Sequence, residues 1–296
     1  MKTIFIVGAS SQDGKILINK LEGRHKLFCF YRNYYLIDKS LKKNKFSLSN
    51  HKLISYLINK FKPYQIYYLS SHNKPFIYQE NRAIDFIKNI HINLISLYFF
   101  LNAIKNFSSK TKLFYASSSF IFNGYKKLKV NEQTKPKPIS FYGFSKTFGL
   151  KMCDYYRENY NLFIVTGILF NHDSKFKKNY FFSKQIVKRI KKTKKNKIKI
   201  NNAYRDWGHA YDYVDAMLLT MRQRNSENYV ISSGKLSSTY EFAKIVVKKL
   251  RKNIKLVMNK KHSDNIKICG DNKKLLKIGW KPKYTSLTSI VEEIIS

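Results

Sequence analysis

The chain has 296 residues and carries 57 Lys and Arg against 18 Asp and Glu, a formal net charge of +39 at neutral pH. A hydrophobic content of 44% is enough for a packed core and excludes a globally disordered chain. Lysine is spread over nearly every segment and far outnumbers arginine. That argues against a specific nucleic-acid reader and for the codon bias of an A/T-rich genome, although such a surface still attracts a nucleotide diphosphate.

Thr3 to Val7 reads as a fully buried strand of the parallel type. A helix over Asp13 to Leu21 follows, then a strand over Lys26 to Tyr31. His51 to Phe61 reads as a helix and Gln65 to Leu69 as a strand. Asn81 to Asn106 is a long helical stretch, and Lys112 to Ala116 resumes the sheet. A helix carrying Tyr142 runs to about Asn159, and Leu162 to Leu169 is the next strand. Further on, helices are expected over Phe181 to Lys191, Tyr211 to Gln223, Thr239 to Leu250, Asn272 to Leu276 and Leu287 to Ile295. Tyr229 to Ser232 and Lys255 to Met258 are the strands among them. The lysine run Lys188 to Lys199 reads as a solvated helix end and loop. Alternating strands and helices predict an α/β fold with a doubly wound parallel sheet, whose strand C-termini share one edge.

No apolar run approaches the ~20 residues needed to span a bilayer. The start, Met1-Lys2-Thr3, leads straight into a strand, and the three cysteines are far apart, so reduced thiols and a cytoplasmic location are expected. No metal-ligand spacing is present. Neither a membrane nor a specific nucleic-acid partner is expected.

Chemistry concentrates in three places. Gly8, Ser11, Gln12, Asp13 and Gly14 lie between the first strand and the first helix. There, backbone N–H groups and a helix N-terminus make a phosphate site. Ser117-Ser118-Ser119 follows the strand-like Lys112 to Ala116. Tyr142-Gly143-Phe144-Ser145-Lys146 puts a Tyr and a Lys on one helix face, where an ammonium can lower the phenol's pKa and tune it for proton transfer.

These motifs resemble the extended short-chain dehydrogenase/reductase family, whose active site is a Ser/Thr, a Tyr and a Lys. Ser11-Gln12-Asp13-Gly14, Gly167-Ile168-Leu169-Phe170-Asn171-His172-Asp173-Ser174 and Arg205-Asp206-Trp207-Gly208-His209-Ala210 narrow the resemblance to its GDP-mannose 4,6-dehydratase group. So does Gly270-Asp271 with Gly279-Trp280-Lys281-Pro282. The resemblance runs from residue 3 to about residue 293.

It implies a Rossmann-like sheet with a smaller C-terminal substrate lobe. Residues 1–170 would form the dinucleotide-binding domain, completed by a segment near 203–235, with 171–202 and 236–296 as the substrate lobe. Ser118, Tyr142 and Lys146 would be catalytic. Gly8, Ser11, Gln12, Asp13, Gly14, Arg32, Leu48, Leu69, Ser70, His172 and Lys177 would hold the cofactor, together with Tyr142 and Lys146. Arg32 after the second strand, with no acid ending that strand, favours NADP, with NAD as the alternative. Asn171, Arg205, Lys261 and Asp264 would hold a nucleotide-diphosphate sugar, GDP-linked by the resemblance.

The implied reaction is transient oxidation at C4 followed by loss of water, a lyase reaction. The family places a glutamate two residues after the catalytic Ser/Thr to take the C5 proton, and Phe120 stands there. A 4-ketoreductase or epimerase, or a non-catalytic dinucleotide-binding protein, stay open as alternatives. Glu132 is the nearest acid downstream. His72 reads as a solvated loop residue without a chemical role. A homodimer through the long helices is the expected assembly.

Overall fold

The computed structural model describes residues 1–38, 40–73, 82–264 and 266–296. Its centre is an eight-stranded sheet in the order β11-β8-β6-β5-β1-β2-β3-β4. The strands β1 (Thr3–Val7), β2 (Lys26–Phe30), β5 (Gln65–Tyr68), β6 (Lys112–Ser118), β8 (Ile164–Leu169) and β11 (Asn228–Ile231) run parallel. Parallel strands need crossovers, and helices supply them on both faces.

Strand β1 shows why the sequence reads as fully buried. Ile4 and Ile6 face one core with Ile16, Leu17 and Leu21 of α1 (Gln12–Leu21) and with Val214 and Met217 of α7 (Ala210–Thr220). Phe5 and Val7 face a second core with Ile54 and Leu57 of α2 (His51–Phe61), Phe100 and Ile104 of α4 (Ser96–Phe107), and Cys153 and Tyr156 of α5 (Phe141–Tyr160). Alternate residues thus meet helices on opposite sides.

A third core belongs to a separate cluster of elements. It joins α6 (Phe182–Lys192), α8 (Thr239–Lys249) and α10 (Leu287–Ile295) to the strand β10 (Lys197–His209). β10 pairs with β9 (Asn171–Asp173), β12 (Leu236–Ser238) and β13 (Lys255–Asp264). A pair of short parallel strands, β7 (Lys127–Val130) and β14 (Lys267–Gly270), completes the fold.

Three expectations need correction. The lysine run is not helix end and loop throughout. α6 stops at Lys192 and β10 begins at Lys197, with Ile198 and Ile200 buried between exposed Lys197 and Lys199. The period-two signal was there, masked by lysines that belong to its outer face. Second, β2 is followed by an antiparallel extension, β3 (Tyr34–Ile37) and β4 (Asn44–Lys45), which caps the sheet edge. Third, Ala83–Phe107 is one apolar helical stretch of mean hydropathy 1.3, long enough to cross a membrane by length and composition. Its Leu97, Phe100, Leu101 and Ile104 are buried in the second core, while Ile87, Ile95 and Tyr98 stay exposed. A π-helical turn, His91–Ile95, interrupts it between α3 (Arg82–Ile90) and α4.

Candidate active site

All the motifs lie along the C-terminal edge of the parallel strands, as that topology requires. The turn after β1 is packed too tightly for anything but glycine at two points. Gly8 has φ +97°, and a Cβ there would sit 2.8 Å from Ser70 N and 2.9 Å from Leu69 C, on the loop after β5. A Cβ on Gly14 would sit 2.6 Å from Gly8 O. Ser11, by contrast, has φ −70° and ψ 163°, which any residue adopts. Its hydroxyl accepts from Gly14 N at 3.0 Å and caps α1. Serine in the middle of the turn therefore costs no backbone strain.

Gln12 and Asp13 face inward to the segment after β8. Gln12 Nε2 donates to His172 O at 2.9 Å, and Gln12 Oε1 accepts from Ser174 Oγ at 3.1 Å. Both carboxylate oxygens of Asp13 lie 3.0 Å from His172 Nε2, while His172 Nδ1 donates to Phe170 O at 2.7 Å. Lys177 Nζ donates to His172 O and pairs with Asp173, each at 2.8 Å. These residues lock the two halves of the groove together.

Outside the turn lies a cleft of about 360 Å³ lined by Ala9, Ser10, Lys15, Tyr31 and Phe176 among others. Arg32 is exposed beside it. The Lys178 amine is pushed down by partial desolvation, then by the charges of Arg32 and Lys15. Three cations therefore share one corner. Leu48 is half-buried and packs against the second core.

Ser118 ends β6, and Tyr142 and Lys146 lie on the first turns of α5, which Ser140 caps by accepting from Gly143 N at 3.1 Å. A Cβ on Gly143 would sit 2.7 Å from Phe120 O, so the helix start abuts the loop after β6. Burial raises the Tyr142 phenol, and the neighbouring hydroxyls of Ser71 and Ser118 oppose that rise. Lys146 is 1% exposed and donates to Ala116 O at 2.8 Å. Burial pushes its amine down to about 7. The expected lowering of the phenol by Lys146 is not what the geometry gives. Lys146 Nζ stands 5.8 Å from the ring centroid.

On the sugar side, Ser119, Phe120, Asn171, Tyr204 and Arg205 line a small pocket. Phe120 meets Tyr142 edge-on, with ring centroids 5.4 Å apart. Arg205 does not pair with Asp206; its Nη1 donates to Tyr204 O at 2.6 Å. Asp206 is buried and accepts from Ser233 N at 2.8 Å, Ser233 Oγ at 2.6 Å, Gly234 N at 3.1 Å and Gly270 N at 3.0 Å. It anchors the loop after β11 and the end of β14. Glu132 accepts from Val230 N of β11 at 2.8 Å. Lys261 and Asp264 lie on β13, but their side chains are outside the described part of the structure.

Three features escaped the sequence. His72 is not solvated: its Nε2 lies 2.7 Å from Asp85 Oδ1, with side-chain exposures of 11% and 7%. Asn93, fully buried in the π turn, accepts from His72 N at 3.0 Å and donates to Ser145 Oγ at 2.9 Å. The Ser71 hydroxyl is a neighbour that opposes the rise of the Tyr142 phenol. A polar Asn in the apolar run Ile90 to Leu97 was the one available signal, because a buried amide demands partners.

The sequence profile of the GDP-mannose 4,6 dehydratase family matches residues 5–294. The chain is 30% identical over 269 residues to the GDP-mannose 4,6 dehydratase of Cricetulus griseus, covering 81% of this chain and 70% of that one. It is 32% identical over 217 residues to that of Homo sapiens, covering 70% and 56%. The aligned regions thus span between about half and 70% of these curated relatives. Among solved structures, RMD from Pseudomonas aeruginosa complexed with NADPH superposes with a TM-score of 0.82 at 18% identity, over 100% of this chain and 98% of that one. UDP-glucose 4-epimerase from Thermotoga maritima superposes with a TM-score of 0.80 at 19% identity, over 98% of each. Those two likenesses establish the Rossmann-like fold, and the profile match over nearly the whole length makes this chain a member of the GDP-mannose 4,6 dehydratase family.

Proposed function

We propose that the chain is an NADP-dependent enzyme that exchanges hydride at C4 of a nucleotide-diphosphate hexose, GDP-linked by its family. The observation that carries this is Ser118 at the end of β6 with Tyr142 and Lys146 on the first turns of α5, Lys146 donating to Ala116 O, together with a turn that only Gly8 and Gly14 can make. The residues fit a dinucleotide: the open N-terminus of α1 faces a pyrophosphate, and the glycines let it approach. Bound there, NADP would supply the hydride acceptor or donor. Tyr142 takes or returns the C4 hydroxyl proton. Ser118 donates to the C4 oxygen as charge develops on it. Lys146 holds its amine inside the site, where it can reach a ribose hydroxyl. Residues 1–170 with the segment near 203–235 carry the dinucleotide in this reading. Residues 171–202 and 236–296 carry the sugar, with Asn171 and Arg205 at its diphosphate end.

The family match supports a second reading, in which C4 oxidation is followed by loss of water. That step needs a base at C5. Phe120 occupies the expected position and has no proton to exchange. Glu132 is committed to Val230 N, and Asp206 to five donors, the Cys269 thiol among them. We therefore place the chemistry at hydride exchange, the work of a 4-ketoreductase or epimerase.

Replacing Tyr142 with Phe should leave dinucleotide binding intact and lower turnover about a hundredfold or more, the scale of general acid–base catalysis. Near-normal turnover of that variant would sink the assignment.

The corner formed by Lys15, Arg32 and Lys178 favours NADP over NAD, because a 2′-phosphate relieves the repulsion among them. By calorimetry, Arg32→Ala or Lys178→Ala should each narrow the NADP-to-NAD ratio about tenfold, the scale of one charged hydrogen bond. Equal affinities in the parent protein would contradict this.

We also infer a homodimer through α3–α4 and α5. Phe144 and Phe148 of α5 are 47% and 62% exposed, and Ile87 and Tyr98 on the neighbouring helix 63% and 44%. A second copy offers the same exposed apolar residues in return. Light scattering should give twice the chain mass, and Phe148→Asp should halve it. A monomeric parent would rule the dimer out.

A further inference from the structure

His172 has no ring nitrogen left for a cofactor. Nδ1 donates to Phe170 O at 2.7 Å, and Nε2 lies 3.0 Å from both carboxylate oxygens of Asp13. A carbonyl and a carboxylate only accept, so an imidazole between them carries a proton on each nitrogen and a positive charge. The ring is also wedged in place. It stacks at 4.5 Å on Tyr213, which is itself fixed against Gly208, where a Cβ would sit 2.1 Å from a carbon of the tyrosine ring. The peptide oxygen of His172 accepts from Gln12 Nε2 at 2.9 Å and from Lys177 Nζ at 2.8 Å. Among the described residues Asp13 has no other hydrogen-bond or ion-pair partner. Asp173, the other carboxylate of this segment, is paired with Lys177 at 2.8 Å.

The place of Asp13 makes that charge matter. It is the second residue of α1, whose N-cap is Ser11. Gly14 N donates to the Ser11 hydroxyl, which leaves the N–H groups of Gln12 and Asp13 for a phosphate. In the free protein the helix dipole favours a carboxylate in this first turn. With a pyrophosphate at the same helix end, two negative groups share it and repel. An imidazolium against both carboxylate oxygens removes the conflict. Asp13 can then tie the turn to the segment after β8 without its charge opposing the ligand.

On the reading above that this turn holds a dinucleotide, we propose that His172 is the counter-ion of Asp13. It is a positioning residue that lets the phosphate-binding end of α1 carry a carboxylate, and its ring makes no hydrogen bond to the cofactor. The effect falls on the pyrophosphate, which NAD and NADP share, and not on the 2′-phosphate assigned to the corner of Lys15, Arg32 and Lys178.

Calorimetry of both dinucleotides across a double-mutant cycle tests this. His172→Gln should weaken NADP and NAD alike by about tenfold, the scale of one uncompensated charge near a phosphate in a partly screened site, and leave their ratio unchanged. Asp13→Asn should bind near the parent affinity. On that background His172→Gln should cost less than about twofold, because no charge remains to cancel. A merely structural histidine would cost the same on both backgrounds. In the free protein, NMR of the histidine ring nitrogens supplies a second readout. The His172 signals, recognised by their loss in His172→Gln, should show both nitrogens protonated at neutral pH in the parent, and Nδ1 alone protonated in Asp13→Asn. An unprotonated ring nitrogen in the parent overturns the proposal. So does an equal cost of His172→Gln on both backgrounds, or a loss confined to NADP. Any of these with dinucleotide binding intact sinks this proposal alone, whereas a parent that binds neither dinucleotide sinks the functional reading with it.

Discussion

The close approach of two loops sets the geometry of this protein. The turn after β1 rests on the loop after β5, with no room for a Cβ at Gly8 and φ +97° there. Neighbouring parallel strands end side by side, so their loops must share one edge. The contact brings the N-terminus of α1 next to Ser70 and Ser71. The start of the helix that carries Tyr142 is in turn pressed on the loop after β6, where a Cβ on Gly143 would sit 2.7 Å from Phe120 O. One packing constraint thus places the phosphate site and the proton-transfer site in a single groove.

The electrostatics within the groove differ from the surface. The chain carries +39 overall, yet Lys146 is buried and its amine is pushed down to about 7. Burial opposes the charged forms of both Lys146 and Tyr142. Hydroxyl donors, and not a nearby ammonium, offset this for the phenol. The exposed cations work elsewhere, at the corner of Lys15, Arg32 and Lys178.

Much of the fold was legible because parallel strands buried on both faces are unbroken apolar runs. Thr3–Val7, Lys112–Ser118 and Ile164–Leu169 are of that kind. β10 was not, since its outer face is lysine and the composition hid the alternation of Ile198 and Ile200. The short antiparallel β3 and β4 hold only an edge, so little burial marks them in sequence. In the site, Tyr142, Lys146 and Ser118 were readable because their chemistry fixes their spacing. His72 and Asp85 were not, because their partners lie on other elements and no local pattern records such contacts. Asp206, read only as part of the Arg205 to Ala210 run, turns out to anchor the loop after β11 and the end of β14.

The account turns on Phe120, which separates hydride exchange from loss of water. The most direct measurement is mass spectrometry of the products from GDP-mannose, incubated with NADP across a pH series. The predicted result is a species lighter by two hydrogens, or an isomer of unchanged mass where the hydride is returned, with no species lighter by one water. A product lighter by one water, formed at about one turnover per second or faster, would contradict the account and require a C5 base other than the residues named here.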